Sequence, residues 1–501
     1  MNWAATGVLR RADNAVLRWQ ARLDAGSADR TIPWIISGLL LITLAAMAIG
    51  RAHAFEAGDE LALYTRSAWL INRSESPILN PAGDHLLRLN GSLAFYPIAF
   101  AVRWLPHARG LLALQALALA SGVFPIWALC RKVLLLRSGA SMVMTLAYAL
   151  NPSVSLLGLS DFSPVAFALP LLLGAFYYGL TGSRWRFVLC VLATMACSIE
   201  LTLAVAGLGI LLVVEGRRRF GIGTSVLALV WLLGAAVFFD VGSVPGSVLH
   251  VDNYASLGDS SFSVLTGALT DPVGVIGSLV SERSLRVAVF LLVPLALLPM
   301  LALRFLLPVL PVQIFYLLSE APEEMLRGHA AVPFTAFAVL ATAHALAGLG
   351  IESIDRVAVN PKLIGALLLG TVLFFLVDSV SSPYRSPWQI GVRDQVDESR
   401  LDAVEQILAE EAVLGEHEPI RAAATVATEL AVRPIVYRLA EGEIPTERSS
   451  AANGVRTIVI DAALVPGWSR RDRLELTVDL VGIGYRKDFD ENGIVVYRWN
   501  R

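Results

Sequence analysis

The chain has 501 residues, of which 55% are hydrophobic and 16% charged, with a mean hydropathy of +0.63. That apolar load excludes a soluble protein of this length, because the apolar residues come in runs long enough to cross a bilayer. A net charge of −2 leaves no basic field for nucleic acid. Cys130, Cys190 and Cys197 are odd in number and lie inside apolar runs, which argues against a disulfide framework or a metal cluster.

Residues 1–32 carry Arg10, Arg11, Arg18, Arg22 and Arg30, with Val8, Val16, Trp19 and Leu23 at helical spacing. This reads as an amphipathic helix on the cytoplasmic surface rather than a cleavable signal, since the apolar run that follows is full length and lacks a cleavage site. The first span runs from about Pro33 to Gly50, and its basic flank should stay inside.

The stretch 53–106 should therefore emerge outside as the first outer loop, with helices lying on the membrane. It opens with Asp59 and Glu60 and continues through Tyr64, Arg66, Trp69, Arg73, Asp84, His85, Arg88, Asn90 and Tyr96. Carboxylates this close to a spanning helix are costly unless they sit at the water interface or have a task. The alternative reading is a solvated loop whose two acids mark a helix start after Gly58.

Basic residues then order the later spans. The second, near Gly110 to Cys130, ends at Arg131 and Lys132; the third emerges at Asp161; the fourth returns to Arg184 and Arg186. The apolar stretch from Phe187 to Glu215 is basic at both ends and too long for one crossing. It should form two short helices meeting on the outer side near Ser198-Ile199-Glu200. A seventh span, near Gly221 to Phe239, leads to a long outer loop with Asp252, Tyr254 and Asp259. Two spans bend around Pro294, Pro299, Pro308 and Pro311, with Arg304 between them, and the next outer loop carries Glu320, Arg327 and His329. The total is about eleven crossings over residues 33–380, with the N-terminus inside and the C-terminus outside.

Residues 381–501 change character and read as a small extracytoplasmic α/β domain. Leu401–Val413 has helical spacing. Strands are expected at Ala422–Val426, Pro434–Leu439 and Thr457–Asp461, and a hairpin turns at Asp490-Glu491-Asn492-Gly493.

Several short motifs fall in a specific order. They are Glu60-Leu61-Ala62-Leu63-Tyr64 through Trp69; Asp161-Phe162-Ser163-Pro164 with Pro170; Ile199-Glu200 with Gly207 and Gly209; Tyr254 with Leu257-Gly258; and Gly328-His329 with Pro333-Phe334. The chain resembles a bacterial and archaeal family of polytopic membrane proteins, a domain of unknown function grouped with the GT-C glycosyltransferases. It departs from the family pattern in Glu60 for Asp, Arg66 for Gln, Ser163 and Val165 for His and Glu, and Ile199 for Lys, and it has no match for the family's His within Gly91–Pro97.

The resemblance implies transfer of a sugar from a polyprenyl-phosphate donor to a cell-envelope acceptor on the outer face, with inversion. That chemistry needs a carboxylate to take the acceptor proton and stabilisation of the departing phosphate. Glu60, with Asp59 beside it, is the expected base; Asp161, Glu200, Tyr254 and His329 would line the pocket; Arg66, Arg88, Arg283 and Arg327 would bind phosphate. A divalent metal ion bridged by Glu60 and a second acid fits the same chemistry, although no ligand spacing specifies one. The departures also suit an inactive GT-C scaffold that binds membrane lipids or assists assembly. A transporter ranks last, because the charges gather on one side and no internal repeat is evident.

Overall fold

The computed structural model describes residues 28–79, 84–239, 254, 274, 276–277, 280–319, 328–353, 356–385, 389–414, 418–439, 455–464 and 470–499. The chain is mostly helical. Helix α1 (Ala28–His53) turns Ile36, Leu40 and Leu44 inward, while Trp34, Ile35, Leu39 and Ile42 stay exposed, as on a lipid-facing wall. Three short helices follow: α2 (Asp59–Asn72), α3 (Leu86–Asn90) and α4 (Phe95–Ala101).

Helices α5 (His107–Ser121) and α6 (Val123–Ala128) run on through a wide turn at Leu129–Val133. Helices α7 (Ser138–Ala149) and α8 (Pro152–Leu159) meet at a bend of 43°, where Asn151 accepts from the Ser153 amide and Pro152 starts the new helix. Next come α9 (Ala168–Thr181), α10 (Arg184–Cys197), α11 (Leu201–Val214) and α12 (Arg218–Phe239).

After α13 (Glu282–Leu292) the chain breaks into tight helical pieces between Val293 and Val309, bent by 102°, before α14 (Leu310–Leu317). Pro294, Pro299 and Pro308 each lack the amide that a continuous helix would use. Helices α15 (Ala331–Gly348) and α16 (Pro361–Asp378) flank a small hairpin of β1 (Ile351–Ser353) and β2 (Arg356–Ala358).

Among the described residues, six helices are long and apolar enough to cross a membrane, or eight with each bent pair taken as one span. The three other expected crossings fall on shorter pieces: α10, α11, and the run ending in α14. The division of Phe187–Glu215 into two helices joined at Ser198–Glu200 is as the basic residues predicted.

Loop contacts sort into two ends. At one end the Arg131 guanidinium donates to both oxygens of Asp29 at 2.6 and 2.7 Å, Arg356 donates to the Arg131 carbonyl, and Arg304 faces Glu215 at 3.4 Å. At the other end Arg51 reaches the Leu159 carbonyl, the Ser92 hydroxyl donates to Cys197 O at 2.8 Å, and the Ile199 amide donates to Asn90 O at 3.0 Å. Segments assigned to one side from charge alone therefore meet at one end.

Helices α11 and α12 cross almost backbone to backbone. A Cβ on Gly209 would lie 2.7 Å from the Gly221 carbonyl, the close approach that small residues permit between membrane helices. Gly209→Val is expected to cost about 1–3 kcal/mol through overpacking, read as a lower unfolding temperature in detergent.

The C-terminal region holds α17 (Gln395–Leu414), β3 (Ile420–Ala423), α18 (Ala424–Ala427), β4 (Val436–Leu439), β5 (Thr457–Asp461), α19 (Arg470–Gly482), β6 (Tyr485–Glu491) and β7 (Ile494–Trp499). Strand order is β4-β3-β5-β7-β6, with β3 parallel to both its neighbours and β7 antiparallel to both of its own. The hairpin turns at Asn492-Gly493, with φ of 47° and 90°. One expectation is corrected here: Ala424 to Val426 is helical rather than strand. The chain leaves parallel β3 and must cross over to β4, and the alanine-rich segment accommodates the turn.

This domain rests on α2. Phe55 and Ala62 share a core with Val404, Ile407, Val426 and Ala427. The Arg66 guanidinium clamps the Pro434 carbonyl at 2.6 and 3.1 Å and donates to Ile78 O at 2.7 Å.

Candidate functional site

Helix α2 carries Asp59 and Glu60 in its first turn, and its own N-cap, Gly58, has no side chain to offer the free amides. Asp161 supplies one from the loop after α8. Its Oδ1 accepts from the Gly58 amide at 2.8 Å, and its Oδ2 accepts from the Glu60 and Leu61 amides at 3.1 and 3.4 Å. A Cβ at position 58 would sit 2.6 Å from Oδ2, so glycine is required for this close approach. Gln115, fully buried, holds the Asp161 loop by donating to Leu157 O and accepting from the Ser163 amide, both at 2.8 Å. Asp161 thus positions Glu60.

Asp161→Ala removes a charged cap from the helix that bears the expected base. The expected loss is about 1–2 kcal/mol of stability, seen in thermal unfolding, while Asp161→Asn should retain part of the cap.

The Glu60 side chain is 59% exposed, and its Oε2 lies 3.7 Å from Nε2 of His329, too long for a hydrogen bond. Burial pushes the His329 imidazole down to about 4, so it is neutral at neutral pH. One helical turn beyond Glu60, the Tyr64 ring is buried. Burial pushes its phenol up, as do the charges of Glu60 and Glu200, while the polar Asn90 and Ser92 side chains work against that rise.

Glu200 occupies the turn between α10 and α11 and is only 5% exposed. Burial pushes its carboxyl up to about 7, while the polar Tyr316 and Ser198 hydroxyls work against that rise. Tyr254 is raised first by burial and then by the Glu200 charge. The charges of Glu60 and Glu200 both bear on Tyr64, that of Glu200 also on Tyr254, and His329 stands 3.7 Å from Glu60. A buried carboxyl such as Glu200, raised towards neutrality with phenols around it, can accept or donate a proton at working pH.

The arginines fare differently. Arg66, expected at a phosphate, instead directs its guanidinium to the Pro434 and Ile78 carbonyls, because the C-terminal domain sits against this face of α2. Arg88 pairs with Asp84 at 3.1 Å, and Arg283 is exposed on α13. Arg327, Glu320, Asp252, Leu257 and Gly258 lie outside the described residues. Among the described residues, no three His, Cys, Asp or Glu side chains gather to hold a metal ion.

Sequence reasoning did not assign Tyr64, Asn90, Ser92, Ser198 or Tyr316 to the site. Tyr64 had a usable signal, its i,i+4 relation to Glu60 on one helix face. Tyr316 had none, because only tertiary packing brings it to Glu200.

The sequence matches the family model described as "Predicted membrane protein (DUF2079)" over residues 56–496. The chain belongs to the DUF2079 family. Among curated proteins, no sequence matches this DUF2079 chain. Its fold is similar to that of ArnT from Cupriavidus metallidurans, solved bound to undecaprenyl phosphate, with a TM-score of 0.52 and 12% identity over 93% of this chain and 97% of that one. It is also similar to the arabinofuranosyltransferase AftD from Mycobacteria, with a TM-score of 0.51 and 14% identity, covering 94% of this chain and 40% of that one. Both neighbours are GT-C glycosyltransferases, and the DUF2079 chain has a GT-C-like fold.

Proposed function

We propose that this DUF2079 protein is a membrane glycosyltransferase that moves a sugar from a polyprenyl-phosphate donor to a cell-envelope acceptor. The N-terminus is cytoplasmic in this reading, and the site and the C-terminal domain lie on the outer face. One observation carries it: at one end of a GT-C-like bundle Asp161 caps the helix that bears Glu60, the Ile199 amide beside Glu200 donates to Asn90 O at 3.0 Å, and the charges of both glutamates bear on Tyr64. Undecaprenyl phosphate in the neighbouring ArnT structure supports the donor class.

In the proposed reaction Glu60 takes the acceptor hydroxyl's proton as the oxygen attacks the anomeric carbon from the face opposite the leaving group. The bond to the lipid phosphate breaks, and the electron pair leaves with the phosphate. Protonated Glu200, with the phenols of Tyr64, Tyr254 and Tyr316, donates hydrogen bonds to the charge that develops there. Asp161 acts only through Glu60, by holding the first turn of α2.

The test is transfer from radiolabelled polyprenyl-phosphate sugars in vesicles containing the purified protein. Transfer by the wild type, and its loss in Asp59→Asn/Glu60→Gln, supports the reading. Full transfer by that variant removes the base. A wild type that retains polyprenyl phosphate yet transfers from no donor supports the second reading, a lipid-binding scaffold, which the arginine-to-carbonyl clamp at Arg66 favours.

A further inference from the structure

A second site lies in the membrane wall of the bundle, away from Glu60. Helices α5 and α6 on one side and α9 and α10 on the other enclose a groove of about 570 Å³ that opens sideways. Its walls are apolar over most of their length, with Leu117, Phe124, Phe167 and Leu171 among them. One end alone is basic, where Lys132 and Arg186 line it together with Tyr177 and Tyr178. The Arg186 guanidinium lies over the Tyr178 ring at 5.7 Å. Both cations are exposed, and neither has an acidic partner among the described residues.

The basic end is the end of the Arg131–Asp29 pair, one residue from Lys132 and opposite the Glu60 constellation. Trp185, 87% exposed, stands beside Arg186 at the level where interfacial tryptophans anchor membrane helices. An apolar groove open to hydrocarbon and closed at its headgroup end by two unpaired cations and two phenols is complementary to an anionic amphiphile. Cations near the surface attract anionic headgroups, and a guanidinium suits phosphate in particular.

We infer that this groove is a binding site for an anionic glycerophospholipid of the leaflet opposite the Glu60 end, its acyl chain along Phe124 and Leu171 and its phosphate on Lys132 and Arg186. The site is separate from the proposed donor site, and its test does not depend on transfer.

The protein is reconstituted in bilayers of equal parts phosphatidylglycerol and phosphatidylcholine, released into detergent, and its retained lipids are weighed by native mass spectrometry. The wild type should retain phosphatidylglycerol selectively. Lys132→Gln/Arg186→Gln should lower that selectivity by about tenfold, while Arg218→Gln/Arg219→Gln, which removes two exposed cations outside the groove, should leave it unchanged. Ala128→Trp, which fills the groove and keeps both cations, should also abolish retention, with thermal unfolding reporting that each variant is folded. Equal losses in the two charge variants would overturn the site in favour of diffuse attraction to basic loops. Retention that survives Lys132→Gln/Arg186→Gln, or a groove that holds added polyprenyl phosphate in preference to phosphatidylglycerol, would overturn it as well.

Discussion

Glu60→Gln should lower the rate of sugar transfer by about 10²- to 10⁴-fold, the usual contribution of a positioned proton acceptor. The amide keeps the shape and polarity of the side chain and loses only its ability to take the proton. Stability should barely change, because the side chain is 59% exposed and His329, 3.7 Å away, is neutral. The separation of the two effects is what identifies the role. Donor retention should persist in Glu60→Gln, and its unfolding temperature should stay within the scatter of the wild type. A parallel fall in rate and melting temperature would instead mark Glu60 as part of the packing between α2 and its neighbours. Glu60→Asp, which keeps the carboxylate on a shorter arm, should recover much of the rate.

Glu200→Gln should stabilise the protein above neutral pH and have little effect below pH 5. The folded carboxyl titrates near 7, above the ordinary value of 4.5, because burial disfavours its charged form. A group that binds its proton more tightly when folded contributes stability at low pH. That contribution is lost as pH rises from 4.5 to about 7, because the folded protein must then either keep the proton or bury a charge. The shift corresponds to roughly 3 kcal/mol. The amide cannot ionise, so the difference in unfolding temperature between variant and wild type should grow across that window and level off above it. Taking the difference cancels other titrating groups, including His329, whose lowered pKa acts in the opposite direction at acid pH. A difference that stays flat from pH 5 to 8 would show that Glu200 titrates as an ordinary surface carboxylate.

What the sequence disclosed was mostly local or electrostatic. The turn at Ser198–Glu200 was legible because basic residues bracket one apolar run and the only acid within it falls at its middle. The start of α2 was legible from Gly58 followed by two acids, and the hairpin from Asn492-Gly493. The rest depended on contacts across long separations. Asp161 reaches back 103 residues to cap α2, and neither end of that contact has a periodic signature. Arg66 looked like a phosphate ligand because an outward arginine beside a carboxylate has that chemistry; only the docking of β4 and the Pro434 carbonyl against it reveals the clamp. The proline-rich stretch after α13 read as two bent spans, and repeated loss of backbone donors breaks it into short tight helical pieces whose extent only the structure shows.

The two helices that meet at Glu200 have 14 residues each and so reach only about 21 Å, against a hydrocarbon thickness of about 30 Å. Lipid tails around that hairpin must shorten or tilt to cover it. The bilayer would be thinner there than elsewhere around the bundle, and the headgroup region would lie closer to the buried Glu200 carboxyl at the tip of the hairpin.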